Sequence, residues 1–216
     1  GILKVAYEVR ALRDSGRDVC DLTVGDFAPR EFPIPSALAD AVESALRRGE
    51  TNYPPSSGMP ALRQAIRAFY AEWLGLDYDV DSILVTSGAR PAIFGCYAGL
   101  VDSGDVVVYP TPSWNNDAYS HMVGATVRTV PCDARDGFLP TAAALAPALR
   151  NARLLVLNSP MNPAGTAFTA AALGDICDAV LAENARRART ERPLYLLYDQ
   201  VYWMLTFGGT AHVNPI

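Results

Sequence analysis

The sequence predicts an α/β fold, a three-layer sandwich in which a mainly parallel sheet is covered by helices on both faces. Two observations carry this. From Ser82 onward, short continuous apolar runs alternate with helical stretches, and strands that lack polar alternation are strands buried on both sides. In addition, 50% of the 216 residues are hydrophobic and 19% charged, which suits a globular chain with a substantial core.

The elements follow in order. Leu3 to Leu12 repeats its apolar residues near helical spacing and stops at Ser15-Gly16, so it reads as an N-terminal helix. Val19 to Val24 reads as a short strand or extended arm, after which Pro29, Pro33 and Pro35 forbid regular structure. Ser36 is expected to cap a helix reaching about Arg48. Thr51 to Ser57, with Pro54-Pro55, is an extended loop, and Gly58 opens into a helix from Pro60 to Leu74. Strands are then expected at Ile83 to Thr86, Val106 to Tyr109, Ala125 to Val130, Leu154 to Leu157 and Leu194 to Tyr198. Helices are expected near Pro91 to Val101, Asn115 to Val123, Ala142 to Leu149 and Ala170 to Arg187.

Composition excludes several classes. No apolar run approaches the roughly 20 residues that cross a bilayer, and the charged N-terminal residues do not form a signal peptide, so a cytoplasmic protein without a membrane partner is expected. The formal charge is −5, and the only basic cluster is Arg186, Arg187 and Arg189, which argues against a nucleic-acid partner. Cys20, Cys96, Cys132 and Cys177 lie far apart, with only His121 and His212 to add imidazole. No metal site or disulfide is read from them, and buried free thiols are expected. Of 18 basic residues only one, Lys4, is a lysine.

In a parallel sheet ligands bind where the strands end, so the residues just beyond each strand are the candidates. Thr86-Ser87-Gly88-Ala89-Arg90 opens a helix with small residues, which suits an anion cradle or simply a tight turn. Pro110-Thr111-Pro112-Ser113-Trp114-Asn115-Asn116 offers Trp114, able to stack on a planar ring or to pack against the protein. Asn158-Ser159-Pro160-Met161-Asn162-Pro163-Ala164-Gly165-Thr166 offers Asn162, which can donate and accept or serve the turn. Asp199-Gln200-Val201-Tyr202 ends the last strand with a carboxylate that needs a cation or donors when buried, or that caps the following segment.

These four motifs, in this order and spacing, resemble the class I and II aminotransferases of pyridoxal-phosphate fold type I. Val24-Gly25-Asp26 and the stretch from Asn52 to Arg63 match the same family upstream, so the resemblance runs from about Val19 to the end. It implies pyridoxal 5'-phosphate as cofactor. Gly88, Ala89 and Arg90 would hold its phosphate, and Tyr53 would reach the phosphate in the neighbouring subunit of a homodimer. Trp114 would stack on the ring, Asn162 and Tyr202 would bond its phenolic oxygen, and Asp199 would pair with the ring nitrogen. Gly25 would lie near the substrate carboxylate. Residues 1–50 would be a helix and arm of the small domain, and 51–216 the large cofactor-binding domain, incomplete at its C-terminal side.

The sequence departs from the family at the Schiff-base lysine, which normally follows the Asp-x-x-Tyr motif by a few tens of residues and is missing here. Lys4 lies far upstream, on an expected solvated helix face. The expectation is therefore a part of a longer polypeptide, inactive alone, with no catalytic residue in these 216 positions. Gln200 stands where relatives usually have Glu.

The implied activity is transfer of an amino group between an amino acid and a 2-oxo acid. A lyase or decarboxylase using the same cofactor, and a non-catalytic ligand-sensing module, are the alternatives. A nucleotide-binding domain is disfavoured, because neither G-x-G-x-x-G nor G-x-x-x-x-G-K-[ST] occurs.

Overall fold

The computed structural model describes residues 2–21, 23, 25 and 27–216. The chain divides into two compact units, Gly1–Pro54 and Pro55–Ile216.

The first unit carries α1 (Ile2–Asp14) and α2 (Ser36–Arg47). Lys4 is exposed on α1 and lies 3.8 Å from Glu8, one turn on. The position expected to hold a strand or arm from Val19 has no strand among its described residues, and Leu22 and Val24 lie outside those. Ser36 does not cap α2. Pro35 holds that position without a side-chain bond, and its carbonyl accepts the N–H groups of Leu38 and Ala39. Ser36 is instead the first helical residue.

The second unit opens with α3 (Pro60–Leu74). Pro60 sits in the first turn, where its missing N–H has no intrahelical partner to lose. Gly75 ends the helix at φ 67, a left-handed conformation that costs glycine little. After a 3₁₀ turn at Val80–Ser82 the chain runs through residues 83–86 without becoming a strand. The expectation there is corrected for a physical reason: a strand exists only against a partner, and this segment's bonds go elsewhere. Val85 N–H donates to the Ser57 carbonyl at 3.0 Å, and Arg63 Nε donates to the Ile83 carbonyl at 2.9 Å.

The remaining elements are α4 (Ala89–Leu100), β1 (Val106–Thr111), α5 (Asn116–Met122), β2 (Thr126–Pro131), α6 (Ala142–Leu149), β3 (Ala152–Asn158), α7 (Ala170–Arg186) and β4 (Tyr195–Asp199). The four strands form a parallel sheet in the order β2-β1-β3-β4. Residues alternate between two cores along β1 and β3. Val108, Leu155 and Leu157 pack with α6 and α7, through Leu145, Leu149, Leu173 and Ile176. Val107, Tyr109, Leu154 and Val156 pack on the other face with Tyr97 of α4 and Tyr119 of α5. The three-layer sandwich is thereby built, and the unbroken apolar runs are explained by burial on both sides.

At the end of α7, Glu183 is buried against Arg187, whose Nη2 lies 3.0 Å away. Glu183 also accepts the Asn151 N–H at 3.1 Å, at the entry to β3. The thiols are free, as expected, but Cys20 and Cys96 are exposed and Cys132 and Cys177 only half-buried. Cys96 faces outward on α4 while its neighbour Tyr97 turns into the core. Among the described residues no helix is long and apolar enough to cross a membrane, and no group of three metal-ligating side chains occurs.

Candidate cofactor site

A cavity of about 210 Å³ opens where β1, β3 and β4 end and α4 begins, all within the second unit. It receives Ala89 and Arg90 from the start of α4, Trp114 from the loop after β1, Asn162 from the loop after β3, and Asp199 and Tyr202 from the end of β4.

Each position has a local cause. Gly88 sits at φ 117 and ψ 171, a conformation that only glycine occupies readily. It turns the chain into α4, whose N-terminus carries no side-chain cap, leaving first-turn N–H groups free for an anion. Asn158 and Asp199 are paired in register across β3 and β4. Asn158 Nδ2 donates to the Asp199 carbonyl at 2.9 Å, and Asn158 Oδ1 accepts the Asn162 N–H at 2.7 Å. Asn162 Nδ2 then reaches the Tyr202 hydroxyl at 3.4 Å. One strand end therefore fixes the next.

Asp199 is the electrostatic centre. Burial pushes its carboxyl above the usual aspartate range, and only the Val201 N–H, 3.1 Å away, works against this. Among the described residues no cation offsets its charge. A carboxylate removed from water without a counter-ion is costly to keep ionised, so a cationic group entering beside it would be bound strongly.

Six residues named from the sequence thus meet in one cavity. Gly88 shapes the helix start behind Ala89, while Gly25 and Tyr53 are exposed residues of the first unit. Val24 and Asp26, beside Gly25, lie outside the described residues. Sequence reading missed Asn116, Tyr119 and Val156 as cavity walls. Val156 had a signal: it shares strand parity with Asn158, so whatever Asn158 faces, Val156 faces too. Asn116 had none, since its burial depends on Tyr97 OH, which donates to its Oδ1 at 2.9 Å from another helix.

Residues 17–213 match the family model for aminotransferase class I and II. The chain belongs to that family. The aspartate aminotransferase of Rhizobium meliloti strain 1021 is 33% identical over 99% of this aminotransferase-family chain and 50% of that protein. The aspartate aminotransferase of Geobacillus stearothermophilus is 31% identical over 98% of this chain and 51% of its own length. Among solved structures, the Rhizobium meliloti aspartate aminotransferase superposes with a TM-score of 0.87 at 32% identity, over 99% of this chain and 51% of that one. The Thermus thermophilus aspartate aminotransferase with maleate also gives 0.87, at 28% identity, over 99% and 53%. The chain spans about half the length of the curated relatives it matches.

Proposed function

We propose that this chain forms the cofactor-holding part of a pyridoxal-phosphate-dependent aminotransferase, which moves an amino group between an amino acid and a 2-oxo acid in the cytoplasm. The observation that carries the reading is Asp199, a half-buried carboxylate with no cation beside it among the described residues, in a cavity that also offers a flat aromatic side chain and an uncapped helix N-terminus. A planar, phosphorylated ring with a protonatable nitrogen matches all three. Bound there, pyridoxal phosphate would supply an electron sink for charge developing at the amino acid's α-carbon.

The chain's own residues have distinct tasks in this reading. Asp199 holds a proton on the ring nitrogen, because a neutral nitrogen would leave the carboxylate unpaired. Asn162 and Tyr202 present donors to the phenolic oxygen. Gly88 sets the backbone so that the N–H groups of Ala89 and Arg90 face the phosphate. Trp114 covers the ring and fixes its plane, which aligns the bond to be broken. Tyr53 would serve the phosphate of the partner subunit in a homodimer, and Gly25 would lie by the substrate carboxylate. Residues 1–50 are read as part of the small domain and 51–216 as the cofactor-binding domain. The family's proton-moving lysine has no counterpart here, since Lys4 is paired with Glu8 on an exposed helix face, so this chain alone should bind but not turn over. The relatives' names make aspartate the first amino donor to assay in the native protein.

Pyridoxamine phosphate, the amine form of the cofactor, needs no lysine and therefore tests the site directly. Titrated into the chain, it should quench Trp114 fluorescence saturably, and W114F should lose most of that change. No binding by calorimetry at millimolar ligand would overturn the reading. D199N should weaken binding by roughly ten- to a hundredfold, the loss of one half-buried charge pair.

A further inference from the structure

Asn115 stands immediately before α5, the position where an asparagine side chain usually accepts an N–H from the first turn. It makes no such bond, and its backbone lies in the left-handed region at φ 58 and ψ 0, whereas capping residues are normally extended. Asparagine is one of the few residues besides glycine that take up this conformation, whereas branched side chains are nearly excluded from it. The usual capping bond is given up, which leaves the side-chain amide available for partners elsewhere.

Those partners are visible in the contacts. One end of the Asn115 amide faces both the indole Nε1 of Trp114 and Nη2 of Arg90, each at 3.2 Å. Both neighbours are donors, so the atom they share is the amide oxygen. Next along the chain, Asn116 is buried and held by the Tyr97 hydroxyl at 2.9 Å, while its own Nδ2 donates to Ser113 Oγ at 2.7 Å. The loop thus has an anchored base from which Asn115 reaches outward. Trp114 is 44% exposed and Arg90 is exposed as well. Without a tether both would sample several rotamers, and ordering them on binding would cost affinity.

We propose that Asn115 is a positioning residue that joins Trp114 to Arg90, so that the flat wall of the cavity and the cation at its helix end are set as one unit before a ligand enters. What the tether serves rests on the cofactor reading given above. The tether itself involves only residues of this chain.

Two substitutions separate side chain from backbone. N115G keeps the left-handed turn, which glycine adopts freely, and removes the amide; N115D keeps an acceptor facing both donors. The chain has three tryptophans, whose indole N–H signals can be resolved with nitrogen-15 labelling, and W114F assigns that of Trp114. In ligand-free N115G the Trp114 signal should move upfield and exchange with water at least about threefold faster, as expected for the loss of one hydrogen bond. The other two indole signals should stay in place, and N115D should hold the Trp114 signal near its bonded position. A Trp114 indole unchanged in N115G overturns the proposal. For pyridoxamine phosphate, N115G should raise the dissociation constant roughly five- to tenfold; equal affinity refutes a positioning role even where the indole has moved. Should the unsubstituted chain bind no pyridoxamine phosphate, the cofactor reading fails, and the indole signal then decides the tether by itself.

Discussion

Burial holds the Asp199 carboxyl above its ordinary range, and this has opposite effects on the ligand-free and ligand-bound chain. A native carboxyl raised above its unfolded value binds its proton more tightly when folded. Its contribution to stability is full below the unfolded value, near 3.9, and is lost as pH rises through the native one. At neutral pH the Asp199 carboxylate therefore subtracts from stability, and without ligand D199N should raise the melting temperature of the chain by roughly 2–4 °C, about 1 kcal/mol. The same variant should bind pyridoxamine phosphate worse, so stability and affinity move in opposite directions. Differential scanning calorimetry with and without ligand checks both. A second residue-scale prediction concerns Gly58, at φ 102, where an added Cβ would lie 2.6 Å from Val85 Cβ. G58A should cost roughly 2–4 kcal/mol in urea denaturation, since strain and overlap act together. Asp199, Asn162 and Trp114 could be picked out from the sequence because each stands at, or in the loop just past, the end of an apolar run and carries a side chain that needs a partner. Asn115 could not, because its role depends on Arg90, a residue of another helix, and on a backbone angle that no local pattern announces.

At the scale of elements, the join between α7 and β3 rests on Glu183. The Arg186 guanidinium bonded to it, helped by the Asn151 N–H and Arg187 and opposed by burial, holds its carboxyl down from 4.5 to about 2. Here the sign is reversed: the stabilisation is present above pH 4.5 and disappears as pH falls toward 2. E183Q should cost about 2 kcal/mol near neutrality and flatten the acid limb of the stability profile, measured by denaturant midpoints between those limits. Most elements were legible because their causes are local. Pro60 and Gly75 bound α3, and Val106 to Tyr109 can only be a strand buried on two sides. The failures had non-local causes. Residues 83–86 carry a strand's composition, yet their backbone bonds go to Ser57 and Arg63. Ser36 is a good cap residue, but the extended Pro35 ahead of it already supplies the carbonyl that opens the helix.

For the second unit as a whole, the cavity draws on the ends of three strands and the start of a helix, so filling it should tighten all of them at once. At a hundredfold excess over the dissociation constant, pyridoxamine phosphate should add about 2.7 kcal/mol to unfolding, seen as a rise in melting temperature that D199N and N115G both reduce. Amide hydrogen exchange should slow at the ends of β1, β3 and β4 together, because the ligand ties loops that otherwise open separately. The three-layer architecture was readable from the alternation of runs and helices, since two-sided burial leaves a plain mark on composition. Which loop residues converge was readable only in outline, since that requires the order β2-β1-β3-β4, a matter of crossovers and not of any one segment.

The pairing of Asn158 with Asp199 across adjacent strands gives the site a built-in ruler. Neighbouring strands lie about 4.8 Å apart, and backbone ladders hold that interval far more stiffly than loops could. The Asp199 carboxylate and the Asn158 amide that fixes the Asn162 loop are thus held at a fixed gauge, and a flat guest whose own polar atoms fall out of step with Asp199 and Asn162 would be turned away without any side chain having to move.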